Sequence, residues 1–113
     1  MQILYFNEAV RLVCANLQAL RRAFGAAWER VAHCLTVLFN AANLAEVRQM
    51  ASVTVRRVAD TASEFPRFVV GHGGVEVTLQ AVGAADDPDE LSLLQRVRVI
   101  AIEKVAMSAA IPV

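Results

Sequence analysis

Two histidines, His33 and His72, and two cysteines, Cys14 and Cys34, are the side chains best suited to proton transfer, nucleophilic attack or metal binding near neutral pH. The cysteines fit no metal-ligand spacing and read as small buried hydrophobes. His72 sits in Gly71-His72-Gly73-Gly74. It reads as a solvated turn residue, with a ligand contact or a pH-sensitive turn as the alternative. His33 reads as structural. The glycines do not form a phosphate loop, which needs GxGxxG or GxxxxGK[ST] between a strand and a helix. Glu64 is a candidate acid or base if burial raises its pKa, but a pairing with Arg67 would hold it ionised. No zinc motif occurs, and no nucleophile can be placed beside a base. No metal and no cofactor are expected.

The elements that position these residues centre on Ala62 to Val82. Pro66 bars helix continuation. Phe68, Val69 and Val70 form a short apolar run, and the paired glycines that follow signal a hairpin turn. Val75 to Gln80 alternates strictly, placing Val75, Val77 and Leu79 on one face. Glu76, Thr78 and Gln80 fall on the other.

Upstream, Asn7 is a plausible N-cap. Val10, Val13, Cys14, Leu17 and Leu20 form one helical stripe that Gly25 stops. His33 to Phe39 alternates and is β-branched and aromatic, which predicts a strand, with Trp28 to Val31 as its partner. The rival is one helix running on through Trp28. Asn43 with Glu46 forms a capping box and predicts a helix over Asn43 to Ala62. Met50 and Val53 lie off its apolar stripe and suggest a subunit contact or ordinary exposure. Asp87-Pro88-Asp89-Glu90 predicts a last helix through Val105. Arg96 to Ile102 also alternates like a strand, but length and capping favour helix.

These elements predict an α+β fold: a four-stranded antiparallel sheet with about three helices packed on one face. The 113 residues suit a single domain, with an N-terminal helix over 1–25, a core over 28–106 and a tail over 107–113. Apolar residues make up 57% of the chain, against roughly 45–50% in an average soluble protein. Much of this is Ala and Val, so a small domain leaves apolar surface for a homodimer or higher homo-oligomer. Eleven basic and eleven acidic residues give a net charge of zero. No basic field points to nucleic acid or to a membrane surface. The first residues lack a cationic start and are interrupted by Glu8 and Arg11, so they match neither a signal peptide nor a membrane span. A cytoplasmic protein is expected.

The order of elements resembles the pterin-4a-carbinolamine dehydratase family. The residues that carry it are Leu17 to Leu20 with Trp28, Leu35 and Phe39 with Leu44-Ala45-Glu46, and Asp89-Glu90-Leu91. The clearest part is Pro66 followed at the family's spacing by Val75-Glu76-Val77-Thr78-Leu79. The resemblance implies a pterin site built from histidines before the Pro and after the strand. Here Glu64 and Phe65 stand at the first pair, and Ala81-Val82-Gly83 at the third. Phe65 and Val82 carry no transferable proton. The resemblance therefore implies a non-catalytic binding or assembly factor with a possible protein client. It is similar to the histidine-poor RuBisCO assembly factors, or to dimerisation cofactors. Its contacts would fall on Glu64, Phe65, Pro66, Arg67, His72 and Val82. The alternative is an active 4a-hydroxytetrahydrobiopterin dehydratase with a rearranged site, using Glu64.

Overall fold

A computed structural model describes residues 1–58, 66–82 and 95–104. Strand β1 (Gln2–Tyr5) leads into helix α1 (Glu8–Ala15) and helix α2 (Leu17–Phe24). A single 3-10 turn (Gly25–Ala27) joins α2 to helix α3 (Trp28–Asn40), and helix α4 (Leu44–Gln49) follows. Strands β2 (Thr54–Arg57), β3 (Arg67–His72), β4 (Val75–Ala81) and β5 (Arg96–Lys104) complete the described elements.

Local chemistry accounts for the helix ends. Asn7 Oδ1 accepts from Val10 N at 2.9 Å and starts α1. Asn16 then caps α2, accepting from Gln18 N and Ala19 N at 2.9 and 3.2 Å. The predicted single helix is therefore two, broken where a cap-forming Asn sits inside the stripe. Gly25, at φ 54°, ends α2. Asn43 Oδ1 accepts from Glu46 N at 3.0 Å, and Glu46 Oε2 reaches back to Ala42 N at 2.7 Å, a capping-box arrangement shifted by one residue.

The predicted strand over His33 to Phe39 is helix α3, as is its predicted partner Trp28 to Val31. Val31, Cys34, Leu35 and Leu38 recur at helical spacing and are all buried, whereas Phe39, on the alternating face, stays 44% exposed. The rival, one helix through Trp28, is right that Trp28 onward is helical, but Gly25 ends α2 before α3 begins.

The predicted long helix from Asn43 stops at Gln49. Thr54–Arg57 is an edge strand instead, where Val55 pairs with Val70. The β-branched run Val53-Thr54-Val55 fits a pleated surface better than a helix. Val53, expected off the core, is buried at 6%, while Met50 remains exposed. The predicted last helix is replaced over Arg96–Lys104 by β5, with Val97 and Val99 fully buried. The stretch Asp87 to Glu90 lies outside the described residues.

The sheet is five-stranded and mixed, in the order β1-β5-β4-β3-β2. This corrects the predicted four-stranded antiparallel sheet. Three pairs are antiparallel, and β1 adds to β5 in parallel, with Ile3 opposite Val97 and Tyr5 opposite Val99. A bulge between Thr78 and Leu79 shifts the β4–β5 register. The α+β class holds, but the order of elements departs from the predicted helix, hairpin or single strand, helix, hairpin, helix.

One face of the sheet carries the core. Phe68, Val70, Val77, Leu79, Val97 and Val99 pack with Cys34, Val37 and Leu38 of α3 and with Leu44 and Val47 of α4. Leu20, Ala27, Val31, Leu35 and Val75 form a second cluster beneath α2 and α3. Along β4 the buried and half-buried residues alternate, as the strand pattern requires. At the β3–β4 turn, Gly73 and Gly74 have φ of 56° and 85°, the conformation of a tight two-residue hairpin.

Candidate functional site

The two histidines of the chain meet in the fold. His33 comes from the middle of α3, and His72 is the last residue of β3. Their ring centroids lie 4.4 Å apart with the planes tilted by 39°. Ser52, in the connection from α4 to β2, touches both. Its Oγ is 2.8 Å from His33 Nε2, and its backbone carbonyl is 2.6 Å from His72 Nδ1. A carbonyl only accepts, so His72 Nδ1 carries the proton in this contact. One turn earlier on α3, Arg30 Nη1 donates to the Gly73 carbonyl at 2.7 Å. Residues of α3, the 50–53 connection and the hairpin turn are thus joined by polar contacts at the end of the sheet.

Two shallow grooves flank the pair. One, of about 320 Å³, runs between α3 and α4 past His33, Asn40, Glu46 and Met50. The other, of about 270 Å³, passes Ser52, Thr54, His72 and Glu76. The carboxylates at these grooves are engaged: Glu46 caps α4, and Glu76 lies 3.3 Å from Arg56 Nη2.

A serine hydroxyl on an imidazole nitrogen is the first contact of a nucleophile–base relay. A relay also needs a third group to orient the imidazole. His33 instead stacks on His72, and His72 spends its Nδ1–H on the Ser52 carbonyl. The arrangement is that of a polar clamp with two imidazoles at its surface. No group of three or more His, Cys, Asp and Glu converges among the described residues.

The cysteines are free thiols, Cys34 buried and Cys14 half-buried. Burial pushes both up to about 11, which suppresses the thiolate at neutral pH. Their reading as small hydrophobes fits these positions. Burial also raises the Tyr5 phenol, with Cys14 adding to the rise.

Among the described residues of the group drawn from the sequence, His72 stands apart from Pro66, Arg67 and Val82. Pro66 precedes β3, and its carbonyl accepts from Ala81 N at 2.9 Å. Arg67 opens β3 opposite Gln80, with a buried Nε that has no hydrogen-bond partner among the described residues. Val82 N donates to Arg96 O at 3.0 Å. His72 stands at the far end of the same strand, about 17 Å from Arg67 at ordinary strand rise. Glu64 and Phe65 lie outside the described residues. His72 is not a free turn residue either, since it is anchored to Ser52 and packed on His33. Ser52 and Arg30 carry no sequence signal that would have marked them; only the three-dimensional contact does.

Neither a protein-family model, nor a curated protein, nor a solved structure matches the chain. No helix among the described residues is long and apolar enough to cross a membrane.

Proposed function

We propose that this chain is a non-catalytic binding and assembly module that associates first with a second copy of itself. The observation that carries this is α1. Six of its eight residues are apolar, yet none is buried. Phe6, Leu12 and Leu17, before, within and after it, are 61%, 49% and 52% exposed. An apolar groove lined by Ala9, Val10, Val13, Phe24 and Ile102 lies alongside. Concentrated apolar surface of this kind marks interaction sites. A net charge of zero leaves little repulsion between copies.

Light scattering tests the reading. At tens of micromolar the wild-type mass exceeds 12.3 kDa, and Leu12→Arg with Leu17→Arg lowers it to a monomer of unchanged helicity. A monomeric wild type would sink the proposal. The narrower form, a RuBisCO-assembly or dimerisation-cofactor role, rests on the dehydratase resemblance alone, and co-purification of a large client tests it. Turnover of a 4a-hydroxytetrahydropterin that Glu64→Gln removes would restore the dehydratase alternative.

A further inference from the structure

We propose that His33 and His72 form a binding site for a late first-row divalent metal ion of the Ni²⁺, Cu²⁺ and Zn²⁺ class, with water filling the remaining positions. The two imidazoles come from different elements and stand 4.4 Å apart. Each already has one ring nitrogen on Ser52. A ligating histidine characteristically donates its other ring N–H to a carbonyl or comparable acceptor, which fixes the tautomer and makes the free nitrogen a better ligand. His72 has this arrangement: Nδ1 donates to the Ser52 carbonyl, so Nε2 of the neutral ring holds a bare lone pair. His33 reaches the same state when Nε2 donates to Ser52 Oγ, leaving Nδ1 as the ligand. One serine then serves both rings.

The 4.4 Å between ring centroids is close to the span of two metal–nitrogen bonds of about 2.0–2.1 Å each, so one ion is within reach of both rings. The grooves on either side admit the ion and its waters. A donor set of two neutral imidazoles suits nickel, copper and zinc, not magnesium or calcium. The carboxylates lining these grooves, Glu46 and Glu76, are held by Ala42 N and Arg56. The imidazoles therefore supply the protein's share of the coordination.

The test is titration of the tag-free full chain with Ni²⁺ alone, by calorimetry and by proton NMR of the imidazole signals. Two histidines give two sets of ring signals. One Ni²⁺ per chain is expected, broadening both sets together. His33→Gln and His72→Gln each weaken binding by at least about 100-fold, and Ser52→Ala by about tenfold, the range for removing a supporting partner. Cys14→Ser leaves it unchanged. Broadening of one ring only, or a Cys14→Ser variant that loses the ion, overturns the proposal. Equal affinity in wild type and His72→Gln does the same. The wild-type NMR result decides even where a variant folds poorly.

Discussion

Arg30 and Gly73 fit each other in two ways. The guanidinium donates to the Gly73 carbonyl at 2.7 Å, and a Cβ on Gly73 would lie 2.7 Å from Arg30 Cδ. Gly73 also has φ of 56°, where L side chains are strained. Gly73→Ala is expected to destabilise the fold by about 1–3 kcal/mol in urea unfolding. Arg30→Ala alone costs less, about 0.5–1.5 kcal/mol for one exposed hydrogen bond. In the Arg30→Ala background the contact is gone, so Gly73→Ala costs only its backbone strain. Equal cost in both backgrounds would show that the arginine stem does not occupy the turn.

The helical reading of residues 28–40 is tested by two neighbours. Leu38 is fully buried, and Phe39 is 44% exposed. Leu38→Ala is expected to cost about 2–5 kcal/mol, and Phe39→Ala well under half of that. A strand with Leu35, Val37 and Phe39 inward reverses the order. Denaturant midpoints at constant slope measure the difference.

Strand β4 offers the matching test. Val77 is fully buried, while Glu76 faces the other side of the sheet beside Arg56. Val77→Asp buries an unpaired carboxylate and is expected to abolish folding or cause aggregation. Glu76→Lys loses one partly exposed pair, worth about 1 kcal/mol or less. Similar losses from both would contradict the facing of β4.

The thiols predict a pH dependence. Burial raises Cys34 from 9.0 to about 11 in the fold. Between these values the unfolded chain has released the proton and the folded chain still holds it. Stability contributed by the neutral thiol is therefore fully present below pH 9 and is lost as pH rises through about 11. Unfolding midpoints are expected to fall across that window, and Cys34→Ala is expected to flatten the fall. At pH 8 a thiol reagent should modify native Cys14 more slowly than the cysteines of the unfolded chain, because burial leaves less of it as thiolate.

How much of this was legible follows from how local each signal is. Asn7, Gly25 and Asn43 act within one helical turn, and each behaves as its cap chemistry indicates. Gly73-Gly74 and the alternation from Val75 are equally local, so the hairpin was readable. Residues 33–39 satisfy both a period of two and a helical period, and burial of Leu38 decides between them. Residues 96–102 have the same ambiguity, and pairing with β1 and β4 favours the strand. Val47 and Val55 continue one helical stripe on paper, but Val55 belongs to the sheet. The histidine pair left no trace in either segment, because its contact joins elements separated by two others in the chain.

Strand β1 reaches its partner only at the other end of the described chain, where Arg96 Nε donates to Gln2 Oε1 across a separation of 94 residues. During synthesis at about 5–20 residues per second, the Gln2–Tyr5 strand waits on the order of 5–20 s for β5 to emerge. Through that interval an uncharged, largely apolar strand has no sheet to join, which is the state most open to mispairing with another nascent chain. Closure of the β1–β5 pair is therefore a late event, and the pace at which the last strand is made sets how long the first one is at risk.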